Sequence, residues 1–394
     1  MFRHLFKMIW NKKKQNSLLI VEILLSFLVI FAVFTFAINS YNNYAKPMGF
    51  NYKQVWAISY NHTLETKNSD SVVLVYENLL RNIKSMPQVV DAGYASGNIP
   101  FANNHMSTGI DNNGHKVDNV NNFFMDENYI NVMGAKMIAG RWYNKADGGS
   151  KANIIVINRK LKEELFGNTD AIGRTFGNND DKNKRKVIGV IDDIKTDGDY
   201  QQAPYGLYNR HDTAAYKWMG KILVKVSPGT DAAFEAKLYK LMANTFKNSN
   251  IEIEHLDNKL TAYNKITLVP LIILSIVAAF LIINVALGIF GVLWYNINKR
   301  RGEIGLRRAI GAPGSSVSGQ LVGEALILAT LSLIIGAFFA VQFPLLNVFD
   351  LPAVVYLGAM LLAVIFIYLL VLVCSLYPGK QAAAIYPAVA LHEE

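Results

Sequence analysis

The sequence predicts a membrane α-helical fold in which four transmembrane helices carry a large α+β extracytoplasmic domain, built from two strand-helix-strand units and an inserted β-rich subdomain. Three observations lead there. The chain of 394 residues is 52% hydrophobic, more apolar surface than one soluble core of this length calls for. Four segments, Leu18 to Ile38, Leu268 to Tyr295, Leu321 to Phe343 and Val354 to Leu376, reach the length of about 20 residues that a helix needs to cross a hydrocarbon layer about 30 Å thick. Between the first and second lies a polar stretch long enough to fold as a domain, whereas only the short loop 344–353 separates the third from the fourth.

Charge gives the orientation. Arg3, Lys7, Lys12, Lys13 and Lys14 precede the first span, Lys299, Arg300, Arg301, Arg307 and Arg308 follow the second, Lys380 follows the fourth, and loop 344–353 has no Lys or Arg. Basic residues stay on the cytoplasmic side, so both termini and the segment after the second span are expected in the cytoplasm and the large domain outside. The net charge of +9 therefore points to membrane lipids and not to nucleic acid. The first apolar run is longer than a signal-peptide core of about 7–15 residues and no A-x-A site follows it, so it is expected to remain as an anchor. The single cysteine, Cys374, lies in the last apolar segment, which leaves the large domain to be held by packing without disulfides.

Each element follows in order. Residues 1–16 are expected to form a cytoplasmic amphipathic helix, because Phe2, Leu5, Phe6, Ile9 and Trp10 share one face with Arg3 and Lys7 opposite; plain continuation into the first span suits the same residues. Transmembrane helix 1 takes 17–39. The external domain takes 40–264, with 101–214 inserted between 40–100 and 215–264. Lys53 to Tyr60 alternates as a strand does, Ser69 and Asp70 cap a helix with Val72, Tyr76, Leu79, Leu80 and Ile83 on one face, and Gln88 to Ala95 is a second strand. Gly220 to Val226, a helix capped by Thr230 and Asp231, and Ile251 to His255 repeat that order. The two units can share one sheet if the ends of the domain come together. Within the insertion, Asn153 to Ile157 and Val187 to Ile191 read as strands, Lys160 to Phe166 as a helix, and Asn103 to Asn122 and Asn178 to Lys186 as loops. Transmembrane helix 2 (265–296), a cytoplasmic segment (297–317), helix 3 (318–343), the external loop (344–353), helix 4 (354–377) and a cytoplasmic tail (378–394) complete the chain.

The segment after the second span concentrates the candidate functional residues: Arg301, Glu303, Ile304, Gly305, Leu306, Arg307, Arg308, Ala309 and Gly311. Glu303 and Arg307 stand at i, i+4 on a short helix that Gly311 and Pro313 end. A rigid basic helix held between two spans can take a push from a cytoplasmic partner; the same charges also serve simply to set topology. Three polar residues fall within the spans. Glu22 and Glu324 lie about one turn inside the cytoplasmic boundary, where an acid must find a base of the neighbouring loop or snorkel to water. Asn284 lies mid-span, where its amide seeks a partner helix, in the same chain or in a dimer, with Ala278, Ala279, Gly288 and Gly291 permitting close approach. No G-x-x-x-x-G-K-[ST] occurs, so no P-loop cradles nucleotide phosphates, and the seven histidines lack metal-ligand spacing. The sequence predicts neither catalytic nor metal-binding residues and no cofactor in this chain.

The run Glu303-Ile304-Gly305-Leu306-Arg307-Arg308-Ala309-Ile310-Gly311-Ala312 after a second span resembles the coupling segment of the MacB/FtsX-type ABC transporter permeases. Glu324-Ala325-Leu326 at the start of span three, Leu376-Tyr377-Pro378 and the tail to Leu391 are similar to that family too. So are Met133-Gly134, Ala139-Gly140-Arg141, Asn158 to Phe166, Ala171-Ile172-Gly173 and Val187 to Val190 in the external domain. The tail departs from the family pattern at Gly379-Lys380 and His392, and Ala171 stands where proline is common. The resemblance implies a stand-alone permease of the bacterial inner membrane with a MacB-like core domain at 40–264, porter-like at 40–100 and 215–264. It implies that ATP is bound by a separate cytoplasmic ABC ATPase docking on the segment around Glu303 to Ala309. It further implies a homodimer or a heterodimer with a homologous permease, and a periplasmic adaptor or outer-membrane channel as further partners. The expected activity is mechanotransmission for export of compounds or peptides from the periplasm, or for lipoprotein extraction. The alternative is an FtsX-like regulatory subunit that activates an envelope enzyme without transport.

Overall fold

The structure, a computed structural model, describes residues 13–61, 69–149, 153–177, 184–210 and 219–386. Most of the expected amphipathic helix at 1–16 and the end of the tail, 387–394, lie outside the described residues. The chain begins with α1 (Lys13–Tyr44) and runs through β1 (Val55–Ser59), α2 (Ser69–Lys84), β2 (Val89–Ala95), β3 (Ser107–Asn112), β4 (His115–Met125) and α3 (Tyr129–Met133). It continues through β5 (Met137–Gly140), β6 (Asn153–Asn158), α4 (Arg159–Phe166), β7 (Thr175–Phe176), β8 (Arg185–Ile191), β9 (Gly206–Arg210), β10 (Lys221–Val226), α5 (Ala232–Thr245) and β11 (Glu252–His255). The last four helices are α6 (Leu256–Lys299), α7 (Arg301–Ala309), α8 (Gly314–Leu345) and α9 (Ala353–Ala383). The chain divides into two compact units, a helical one of residues 1–42 and 268–394 and a sheet unit of residues 43–267.

In the sheet unit the strands follow the order β11-β1-β10-β2-β4-β9-β6-β8-β5, with β3 on β4 and β7 on β8. The two strand-helix-strand units thus interleave, β1 lying antiparallel between β10 and β11 and β10 antiparallel to β2. Alternation along these strands sends Trp56, Ile58, Ile222 and Val224 to one face, where they pack on Tyr76 and Leu79 of α2 and Phe234 and Leu238 of α5. Asp231 caps α5 by accepting from the Phe234 N–H at 3.1 Å. Val55, Ala57 and Leu223 point to the other face, against Leu256 and Leu260 of α6 and Tyr129 of α3. The inserted strands continue the same sheet through a narrow join, the single pair Ala95↔Met125.

The expected loop at Asn103 to Asn122 is instead the β3–β4 hairpin. Ile110, Val117 and Val120 on its inward side are buried, and Asn113 and Gly114 both take positive φ, 54° and 93°, the Asn-Gly turn that matches strand twist. Of the expected loop at Asn178 to Lys186, residues 178–183 lie outside the described residues, while Arg185 and Lys186 already belong to β8.

Among the described residues four helices are long and apolar enough to cross a membrane: Ser17–Tyr44, Leu256–Lys299, Gly314–Leu345 and Ala353–Ala383. Helix α6 is 44 residues long, about 66 Å at about 1.5 Å per residue. It starts at Leu256, well before the apolar run, because Leu256, Leu260 and Tyr263 form an apolar face for the sheet core. Inside it, Pro270 has no N–H to give the Ile266 carbonyl. The helical unit packs Ile23 and Phe27 of α1, Val285 and Ile289 of α6, Ala329 and Leu333 of α8 and Ala359, Ala363 and Ile367 of α9 into one core. Small residues allow close helix approach there, and the hydroxyls of Thr330 and Tyr368, 2.9 Å apart, tie α8 to α9.

Candidate coupling site

Helix α7 and the start of α8 form a compact charged site within the helical unit. Glu303 in the first turn of α7 and Arg307 and Arg308 in its last suit the helix dipole at both ends. The helix stops because Gly311 takes φ 96°, a left-handed conformation natural to glycine, and Pro313 turns the chain extended at the N-cap of α8. The Gly311 N–H donates to the Arg308 carbonyl at 3.2 Å and that of Ala312 to Arg307 at 3.0 Å, so the orphan carbonyls of the last turn are satisfied. Ile304 and Gly305 face inward, and Ile304 joins the core with Ile297, Val317 and Leu321. Leu306 and Ile310, at i, i+4 on the outer side, remain 55% and 79% exposed.

Five side chains close a ring across the turn. Arg300 Nη1 donates to Glu324 Oε1 at 3.0 Å and its Nε to Glu303 Oε2 at 3.1 Å. Arg307 Nη2 lies 2.6 Å from Glu303 Oε1, and its Nη1 donates to Gln320 Oε1 at 3.0 Å. Gln320 Nε2 returns to Glu324 Oε1 at 3.1 Å. The inner arm is shielded, with side chains 13% exposed at Arg300 and 10% at Glu324, whereas Glu303 and Arg307 are 43% and 47% exposed. Charge-assisted bonds of this kind are about twice as strong as neutral ones, so the ring fastens α7 to the first turns of α8.

The remaining candidates fall around this ring or apart from it. Arg308 Nη1 donates to the Ala312 carbonyl at 3.2 Å, Arg301 is half-buried at the start of α7, and Ala309 and Gly311 are exposed. Of the two acids expected to pair with the basic segment, Glu324 does so; Glu22 makes no ion pair among the described residues and lies against α6, where a Cβ at Gly288 would sit 2.5 Å from its Oε2. Asn284 does not bridge to another helix among the described residues. Its Nδ2 donates to the Phe280 carbonyl of its own helix at 2.8 Å, the i−4 back-bond that spares a mid-span amide a partner. Arg300 and Gln320 join the ring beyond the residues singled out from the sequence: Gln320 stands four residues before Glu324, a spacing that carries the signal, while Arg300 shows only as one cation among several.

A second polar cluster lies within the sheet unit. The Lys195 ammonium, its residue only 3% exposed, donates to the carbonyls of Asn43, Lys46 and Asp199, the latter two at 2.7 and 3.1 Å. Burial pulls this ammonium below the ordinary lysine value. Alongside, Asn264 of α6 exchanges two hydrogen bonds with Asp199, at 2.9 and 2.8 Å, Gln201 donates to Thr267 at 3.0 Å, and the Tyr200 ring stacks on Tyr44. The strap 195–201 therefore holds the last turn of α1 and the 264–267 turn of α6 together.

A MacB-like periplasmic core domain matches residues 23–241, and an FtsX-like permease C-terminal domain matches residues 275–387. The chain belongs to the MacB/FtsX-like family of ABC transporter permeases. Relatives of this MacB/FtsX-like permease include the macrolide export ATP-binding/permease protein MacB of Escherichia coli K12, 24% identical over 82% of this chain and 49% of that protein. MacB of Aggregatibacter actinomycetemcomitans is 28% identical over 59% of this chain and 37% of that protein. The probable syringafactin export protein SyfD of Pseudomonas syringae is 26% identical over 67% and 41%. This permease thus spans about half the length, or less, of the curated relatives it matches. Among solved structures, the periplasmic region of MacB from Actinobacillus actinomycetemcomitans aligns at TM-score 0.38 and 18% identity, over 54% of this chain and 94% of that one. Members of the MacB/FtsX-like family work with ABC ATPases, and their permease parts are generally not enzymes.

Proposed function

We propose that this permease passes the movement of a cytoplasmic ABC ATPase to an extracytoplasmic sheet unit. ATP is bound by the partner, whose closure pushes α7; α6 carries the displacement, and the sheet unit changes shape. The observation that carries this reading is the ring Arg300–Glu303–Arg307–Gln320–Glu324, which makes α7 a rigid lever on α8 while leaving Leu306 and Ile310 facing outward. An exposed apolar pair ringed by charge suits a protein contact. In this reading both termini and α7 face the cytoplasm of a bacterial inner membrane, as the basic residues around them favour, and the sheet unit lies in the periplasm or outside the cell. The permease works as a homodimer or with a homologous permease, and a periplasmic adaptor or outer-membrane channel extends the path. Relatives named for macrolide and syringafactin export support export of compounds or peptides, with lipoprotein extraction as the other form of the same work. The test is Leu306→Asp, which leaves the ring untouched: co-purification with the ATPase and stimulation of its turnover are expected to fall at least tenfold with unchanged thermal stability. Unchanged association and stimulation overturn the proposal.

A further inference from the structure

The sheet unit contains a cavity of about 850 Å³, within the size range of sites for drug-sized ligands, about 300–1,000 Å³. Its position follows from strand register. Glu252 pairs with Ser59, Ser59 with Lys221 and Lys221 with Ala95, so these residues form one row across β11, β1, β10 and β2 on the face that farther along buries Val55, Ala57 and Leu223. Here the face turns from apolar to charged. Lys221 Nζ bonds Ser59 Oγ at 2.6 Å and lies 3.8 Å from Glu254 Oε2, while Lys259, from the first turn of α6, pairs with the other oxygen of Glu254. The side chains of Lys221 and Lys259 are only 16% and 13% exposed.

The opposite wall is the segment after β2. Asn98, 2% exposed, donates to the carbonyls of Met106 and Asn122 at 3.0 and 2.9 Å and so ties this segment to β4. Met106, Phe124 and Met219 give the cavity an apolar side, and Asn103 and Asn104 set exposed amides at its rim. Replacing shielded ion pairs by apolar side chains is often neutral or stabilising, so stability alone does not account for Lys221 and Lys259 converging on Glu254 beside Glu252 at a cavity wall.

We propose that this cavity is a binding site for short zwitterionic peptides. The ligand's amine meets the exposed Glu252 on the edge strand, and its carboxylate meets Lys259, which it shares with Glu254. The asparagine amides meet the peptide groups, and apolar side chains rest on Met106, Phe124 and Met219, methionine adapting to different shapes. The site is separate from α7, and binding is read without nucleotide or ATPase, so its failure leaves the coupling proposal untouched, and the reverse holds.

The experiment is calorimetric titration of the full chain in nanodiscs with tri-leucine, N-acetyl-tri-leucine and tri-leucine amide, with empty nanodiscs subtracted. Tri-leucine is expected to bind at least tenfold more tightly than either blocked peptide. Glu252→Gln removes the preference over the acetylated peptide, and Lys259→Gln removes the preference over the amide, each keeping the other preference; this crossed pattern also separates ligand contact from misfolding. Absence of binding, equal binding of the three peptides, or variants that leave both preferences intact overturn the proposal.

Discussion

Arg300 and Glu324, 24 residues apart, meet at 3.0 Å through a turn that neither belongs to. Their side chains are among the most shielded charges of the helical unit. Removing one partner strands the other, whereas removing both leaves apolar packing.

Arg300→Met is therefore expected to destabilise the helical unit by about 3 kcal/mol, and Arg300→Met with Glu324→Leu to recover most of it. Thermal unfolding of the detergent-solubilised chain checks this, and a double-mutant cycle should return a coupling of about 1–3 kcal/mol.

The outer arm of the ring behaves differently. Glu303 and Arg307 are nearly half exposed, so Glu303→Gln is expected to cost less than about 1 kcal/mol of stability. In the coupling reading it nevertheless loosens α7 on α8 and lowers ATPase stimulation severalfold, a split visible when melting curves and turnover are measured on the same preparation.

Lys195→Met removes a donor that reaches three carbonyls at once, those of Asn43, Lys46 and Asp199. Leaving buried acceptors unmet predicts a loss of about 2–3 kcal/mol. Amide exchange should rise first at 43–46 and 195–201 and least in β1 and β10. A uniform rise across the sheet unit would speak against a local strap.

Asp126 supplies a pH dependence. Its carboxylate accepts from the Tyr94 N–H at 2.8 Å and from the Asn128 N–H and Nδ2 at 2.9 and 3.1 Å. Burial, only partly offset by these donors, pushes it up to about 7 from an ordinary 3.8. The folded state therefore holds this proton more tightly than the unfolded chain. Its contribution to stability is largest below pH 4, falls as pH rises to 7 and is level above, with a limiting slope of about 1.4 kcal/mol per pH unit. Wild type should lose stability relative to Asp126→Asn between pH 4 and 7, as read by tryptophan fluorescence during thermal unfolding; Trp142 donates to the Asp126 carbonyl and reports locally.

What could be read along the chain were features whose cause is local. The four spans show as apolar runs, the interleaved units as alternation with capped helices between, and the Glu303–Arg307 pair as an i, i+4 spacing. The closure of the ring depends on how Gly311 and Pro313 aim α8, which no spacing encodes. The β3–β4 hairpin hides because its inward residues are few and its outward ones polar, although Asn113-Gly114 marks its turn. Lys195 carries no signal at all, since its acceptors are main-chain carbonyls that every residue has.

The missing rung at Pro270 has a mechanical consequence. A helix yields first where one of its hydrogen bonds is absent, so α6 bends more readily at the turn before Pro270 than along its unbroken turns.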